Sequence, residues 1–267
     1  MTTKPVILIT GASSGIGAAT ARLFGGQGYR VVIAARRAER LQALADEIES
    51  AGGRALLIPT DITQLDQIQQ LVDTTMEEYG QIDVLLNNAG FGRMKWLEQL
   101  DPVTDIELQL DVNLHGVIQT TRMVLPHMIE RRSGHIINMA SIAGLIATPI
   151  YSIYAATKFG VRGFTEALRR EVSIWGINVS GIYPGSVITE FQQHMGVDRK
   201  TGLSTPRFMQ LTAQDVARTV YRVAQRPRRM VIIPWFMRGT YWLNLFWPGL
   251  MDYMIRQRFT NRERNPR

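Results

Sequence analysis

Three features of this 267-residue sequence predict one α/β domain, a doubly wound parallel sheet of about seven strands in a three-layer α/β/α arrangement. The runs that read as strands are short, β-branched and continuously apolar. A strand with no polar side is covered on both faces, as in a parallel sheet between two helix layers. Segments of helical periodicity separate those runs, so the chain repeats strand, helix, strand. Small and polar residues gather directly after the strands, at the edge where open α/β sheets take ligands.

Bulk properties narrow the classes. With 45% apolar and 20% charged residues, the length suits one large core. The absence of cysteine excludes disulfides, a thiolate nucleophile and zinc–thiolate sites. His115, His127, His135 and His194 are scattered without metal-ligand spacing, so no metal is expected. The net charge of +7 belongs to the tail: from Arg222 onward ten arginines face two acids, leaving residues 1–221 at −1. A nucleic-acid binder carries its basic face across the folded domain, so nucleic acid is not an expected partner. The residues before the first strand are too few for a signal peptide, and no run reaches the roughly 18 apolar residues of a spanning helix. The cytoplasm is the expected location.

Val6 to Thr10 reads as the first strand. Gly11-Ala12-Ser13-Ser14-Gly15-Ile16-Gly17 follows at once, then a helical pattern through Ala18, Ala21 and Phe24. This is the Rossmann-like context for a phosphate turn. Gly11 permits the tight bend, Gly15 and Gly17 permit close approach, and the helix start points free N–H groups at an anion. The second strand, Val31 to Ala35, ends in Arg36-Arg37 where an NAD site places an acid on the ribose 2′-hydroxyl. Two cations and no carboxylate favour the 2′-phosphate of NADP(H) over NAD(H).

An amphipathic helix from Ala38 to Ser50 stops at Gly52-Gly53, and Ala55 to Pro59 is the third strand, followed by Asp61-Ile62. A helix from Leu65 to Tyr79 leads to the fourth strand, Ile82 to Leu86, which ends in Asn87-Asn88-Ala89-Gly90. Helical periodicity runs from Thr104 to Arg132 with Asn113 inside it and a bend at Pro126. Strand five, His135 to Met139, delivers Ser141. The next helix carries Tyr154 and extends to about Trp175. Strand six, Ile177 to Tyr183, closes on Pro184-Gly185. Residues 186–212 read as a mobile lid over the strand ends. A helix from Gln214 to Arg226 and a strand from Met230 to Ile233 complete the domain.

Tyr154 and Lys158 stand one turn apart on one helix face, about 5–6 Å apart at Cβ. A phenol titrates near pH ~10 and is a poor base at neutrality. An ammonium about 4 Å away at an effective dielectric of ~20 favours the phenolate by roughly 4 kcal/mol, which brings the phenol towards neutral pH. Ser141 would hold a carbonyl oxygen beside it.

Together these motifs resemble the short-chain dehydrogenase/reductase family in its single-domain, NADP-preferring form. The resemblance spans roughly residues 5–233. It implies Tyr154 as acid/base, with Lys158 lowering its pKa and binding the nicotinamide ribose. It implies Ser141 polarising the substrate carbonyl and Asn113 holding a relay water. Gly11, Ser13, Ser14, Gly15, Ile16 and Gly17 would carry the pyrophosphate, with Arg36 on the 2′-phosphate. Asp61 and Ile62 would hold the adenine, and Asn87, Ala89 and Gly90 the adenosine side. Pro184, Gly185, Val187 and Thr189 would hold the nicotinamide. The implied reaction interconverts a carbonyl and a secondary alcohol, in a homodimer or homotetramer. An NADP-sensing interaction protein with little turnover is the other class, and an activated phenol argues against it.

After Ile233 the resemblance weakens. The extension 235–267 holds three of the five tryptophans, and Leu250, Met251, Met254, Ile255 and Phe259 are expected on one helix face, followed by Arg256, Arg258, Arg262 and Arg264. Apolar residues flanked by arginines fit peripheral membrane contact through 235–260. A dimer contact, a flap over an apolar pocket, and a segment packed on its own core fit as well. A lipophilic carbonyl or alcohol is the expected substrate.

Overall fold

The computed structural model describes residues 4–193 and 210–264. Seven parallel strands lie in the order β3-β2-β1-β4-β5-β6-β9. They are β1 (Val6–Thr10), β2 (Arg30–Ala35), β3 (Arg54–Pro59), β4 (Val84–Asn87), β5 (Gly134–Met139), β6 (Ile177–Pro184) and β9 (Met230–Ile233). The chain winds outwards from β1 to β3, then restarts beside β1 with β4. That reversal opens a crevice at the strand ends. Register places Leu8 between Val32 and Leu85, so β1 is the covered centre of the sheet.

Both sheet faces are dry. One packs Ile7, Ile9 and Ile33 against α1 (Gly15–Gly26), α2 (Ala38–Ser50) and α6 (Ala213–Gln225). The other packs Leu8, Val32 and Leu85 against α3 (Leu65–Tyr79), α4 and α5 (Ser152–Glu171). Here α4 denotes the helical run of Pro102–Glu107, Leu108–Leu110, Asp111–His115 and Gly116–Arg131. Pro102–Glu107 and Asp111–His115 are π-helical, and Asn113 sits in the second of these widened turns. Such turns re-aim groups at functional sites.

One expected boundary needs correction. The helix bearing Tyr154 ends at Glu171; Ser173–Trp175 is a separate 3₁₀ turn, closed by left-handed Gly176. The expected lid, 186–212, lies partly outside the described residues. Its two ends are fastened together, because β7 (Val187–Ile188) pairs in parallel with β8 (Leu211–Thr212).

His135 on β5 gives this core a pH dependence. Its Nε2 lies 2.8 Å from the Ser180 hydroxyl, and burial lowers its pKa to about 4. The unfolded chain takes up that proton near pH ~6.5. Between about 6.5 and 4 the unfolded state binds more protons, so stability falls as pH falls. Lowering pH from 6.5 to 5.5 is expected to cost about 1 kcal/mol through this residue. His135→Gln is expected to flatten that part of a melting-temperature profile. An unchanged slope would assign it to other groups.

Candidate active site

The glycine turn between β1 and α1 is shaped for close approach. Gly11 has φ +67, and a Cβ there would lie 2.6 Å from Ala89 Cα. A Cβ on Gly17 would meet the Gly11 carbonyl and lie 2.7 Å from Asn88 Nδ2. The Asn88 amide donates to the carbonyls of Thr10 and Gly11 at 3.0 and 3.1 Å. Thr10 Oγ1 accepts from the backbone N–H groups of Asn88 and Ala89. The turns after β1 and β4 are thus clamped into one rigid wall.

That wall borders a cavity of about 1390 Å³ at the crevice. Ser13, Ser14, Gly15, Ile16, Arg36, Asp61, Ile62, Ala89, Gly90, Pro184, Gly185, Val187 and Thr189 line it with Gly11, as do Ser141, Tyr154 and Lys158. Gly17, Asn87 and Asn113 do not. Gly17 acts underneath, as packing. The Asn87 amide donates to Thr121 Oγ1 and Asn138 Oδ1, both at 2.8 Å, and is buried. It pins β4 to α4 and β5.

Asn113 is fully buried. Its Oδ1 accepts from Phe91 N at 2.9 Å and its Nδ2 donates to Phe91 O at 2.8 Å. The amide braces the segment after Gly90.

The reactive groups stand at the cavity floor. Tyr154 and Lys158 are buried on α5, and Ser141 starts the turn after β5. The Ser141 hydroxyl is within hydrogen-bonding reach of the phenol. Lys158 Nζ lies 5.7 Å from the Tyr154 ring centre and donates to Met139 O at 3.0 Å. A Cβ on Gly90 would touch Nζ at an ordinary 3.5 Å and crowd Asn113 Oδ1 at 3.0 Å. Tyr151 and Phe191 flank the ring at 6.3 and 5.7 Å.

The expected depression of the phenol's pKa is not found. Burial raises Tyr154 to about 12, against the hydrogen bond from Ser141. Burial also lowers Lys158 to about 8. Water is withdrawn from both groups, and the ammonium is turned towards the Met139 carbonyl. At neutral pH the pair is a protonated phenol beside an ammonium: a proton donor with a cation ready for the anion it would leave.

At the other end, Arg36 lines the cavity, is exposed, and has no hydrogen bond or ion pair among the described residues. Sequence reasoning named Arg37 beside it but missed Arg40 and Glu190. Arg37 reaches Ser13 and Ser14, and Arg40, one turn further, binds Glu190. The spacing of Arg37 and Arg40 was a usable signal. Glu190, 150 residues away, offered none.

The tail forms part of the cavity wall. Met251, Met254, Ile255 and Phe259 line it with Met237, Thr240 and Arg258. Leu250 does not share their face; it is exposed. Tyr241 accepts a hydrogen bond from Arg162 at 3.2 Å, and Arg264 ties back to Glu98 while lying 4.0 Å over the Trp96 ring. Met237 and Tyr241 also pack against a buried core cluster of the domain, so the tail meets both the cavity and the core.

Comparison with known proteins agrees with the geometry. A family model described as short chain dehydrogenase matches residues 5–200. The 3-oxoacyl-[acyl-carrier-protein] reductase of Thermotoga maritima is 38% identical over 200 residues, which cover 74% of this chain and 81% of that protein. A short chain dehydrogenase/reductase of Burkholderia phymatum, solved with NAD, superposes with TM-score 0.84 at 27% identity, covering 93% of this chain and 95% of that one. An alcohol dehydrogenase of Thermococcus sibiricus, complexed with 5-hydroxy-NADP, superposes with TM-score 0.76 at 26% identity over 86% and 95% of the two chains. With its glycine turn, its seven-stranded order and a matched model over most of its length, this chain belongs to the short-chain dehydrogenase family of oxidoreductases.

Proposed function

We propose that this enzyme reduces a lipophilic carbonyl compound to a secondary alcohol using NADPH. The observation that carries the reading is the protonated Tyr154 between Ser141 and Lys158, at the floor of a cavity walled on its far side by methionines. The glycine cradle suits a dinucleotide, since side chains at Gly11 or Gly17 would fill it. The bound coenzyme supplies a hydride. Ser141 holds the carbonyl oxygen, and Tyr154 donates its proton as charge develops there. Lys158 then faces a phenolate rather than a phenol, and its charge compensates the new anion. Asn113 fixes the segment that carries Gly90.

Arg36 supports the choice of NADPH, since an unpaired guanidinium on the cavity wall is matched to a phosphate. Its replacement by Ser is expected to weaken NADPH binding about tenfold and NADH binding less than twofold. NADPH oxidation and NADH oxidation across a panel of ketones and aldehydes test both proposals. Faster turnover with NADH would overturn the coenzyme choice. A requirement for small polar carbonyls would overturn the substrate class.

The outer face of the tail supports peripheral membrane contact. Trp235, Trp242, Phe246 and Trp247 are 76%, 51%, 63% and 61% exposed. Exposed Arg256 and Arg262 follow them in the chain. Exposed aromatic side chains followed by guanidinium groups fit an anionic lipid surface. Among the described residues no helix is long and apolar enough to cross a bilayer. Wild type is expected to pellet with anionic phosphatidylglycerol vesicles, and Trp242→Ser/Phe246→Ser to stay in the supernatant. Equal partitioning of the two would remove the membrane proposal.

A further inference from the structure

The coenzyme end of the cavity already holds an anion of the protein's own. Glu190 follows β7 and lies on the cavity wall. Both its carboxylate oxygens accept from Arg40 Nη1, at 2.8 and 2.7 Å, and Oε2 lies 3.5 Å from Arg37 Nη1. The remaining nitrogens of Arg37 hold the glycine turn: Nε and Nη2 donate to Ser13 Oγ at 3.2 and 2.9 Å, and Nη2 to Ser14 Oγ at 3.1 Å. Next to Glu190, the Thr189 methyl lies 3.3 Å from where a Cβ on Gly15 would be. Glu190 therefore spans the mouth of the glycine turn, with Ser13, Ser14 and Arg37 on one side and the segment after β6 on the other.

Three arginines, Arg36, Arg37 and Arg40, lie within five residues where β2 passes into α2, and their states differ. Arg36 is free among the described residues, while Arg37 and Arg40 share one carboxylate. The arginine pair holds Glu190 ionised, with its pKa lowered by the hydrogen bond from Arg40 first. A phosphate monoester brings up to two negative charges to the same donors. It can take Arg36 without opposition. It can take Arg37 or Arg40 only by displacing Glu190 or by standing beside it, like charge against like charge.

We propose that Glu190 is an internal competitor of the coenzyme's 2′-phosphate and thereby sets the discrimination between NADPH and NADH. The proposal rests on the NADPH reading of Arg36, and adds that Glu190 holds this preference below what three arginines would give. Both partners are partly exposed, at 47% and 38%, so the competition is modest and screened by salt.

The test is coenzyme binding without substrate, read by the fluorescence of NADPH and NADH. Glu190→Gln is expected to tighten NADPH about three- to tenfold and to change NADH less than twofold. Adenosine 2′-monophosphate is expected to follow NADPH, and adenosine 5′-monophosphate to follow NADH. The gain is expected to shrink in 0.5 M salt. Glu190→Asp keeps the charge and is expected to stay within twofold of wild type. An unchanged ratio in Glu190→Gln overturns the proposal, as does equal weakening of both coenzymes, which would make Glu190 a plain clasp. A shift in Glu190→Asp as large as in Glu190→Gln overturns it too. Failure of the coenzyme reading looks different: wild type would bind NADH more tightly, while the ratio in Glu190→Gln still moved towards NADPH.

Discussion

Tyr154→Phe is expected to lower kcat for carbonyl reduction by about 10²–10⁴-fold while leaving coenzyme binding within about twofold of wild type. General acid catalysis contributes on that scale, and this substitution removes the acid and little else. The ring stays wedged between Tyr151 and Phe191, with Gly92 leaving it space. What goes is a buried hydroxyl and its contact with Ser141, at a stability change of about 1 kcal/mol. The melting temperature should barely move, so a rate loss is chemical rather than structural. Turnover within threefold of wild type would mean that the proton comes from elsewhere.

The direction of the pH profile follows from the same burial. With the phenol raised to about 12, Tyr154 is protonated throughout the physiological range and serves reduction without prior ionisation. Alcohol oxidation needs the phenolate and is expected to rise with pH. Reduction should hold level to about pH 7.5 and decline as Lys158, at about 8, loses its charge. A reductive rate that climbed from pH 7 to 9 would contradict this assignment of protonation states.

The sheet was legible because its signals are local. Val6 to Thr10 or Val31 to Ala35 can be read as covered strands from a handful of residues, and Gly11, Gly15 and Gly17 name their turn by spacing alone. The floor of the site was legible for the same reason, since Tyr154 and Lys158 share one helix turn. What escaped was non-local or depended on solvation. Asn87 and Asn113 sit in motifs that suggest ligand contacts, and nothing in the sequence signals that both are buried with their amide nitrogens turned to Thr121, Asn138 and the Phe91 carbonyl. Glu190 meets Arg40 only because the sheet brings the start of α2 and the segment after β7 to one edge. The phenol's pKa was misjudged because proximity of a cation was weighed and loss of water was not. Desolvation acts on both partners, and here it is the larger effect.

That lesson sharpens the last prediction, which separates stability from function at one residue. Lys158→Met is expected to reduce activity by about 10²–10³-fold without lowering the melting temperature at pH 7. A buried ammonium whose pKa has fallen from 10.5 to about 8 costs the folded state up to about 3 kcal/mol at neutral pH. Methionine has similar volume and no charge, so the substitution relieves that cost. Against it stands the Met139 carbonyl, which loses the donor that held it at 3.0 Å, worth about 1–3 kcal/mol. The two nearly cancel. The pH dependence distinguishes them: between about 8 and 10.5 the unfolded chain holds the lysine proton more readily than the folded one, so wild type gains stability relative to the variant as pH rises through that window. Denaturant unfolding at pH 7 and pH 9.5 measures it. If the gap between the two proteins stays constant across that range, the ammonium is not held at a cost by its burial. A variant that retains full activity would show that the anion left on Tyr154 needs no neighbouring cation.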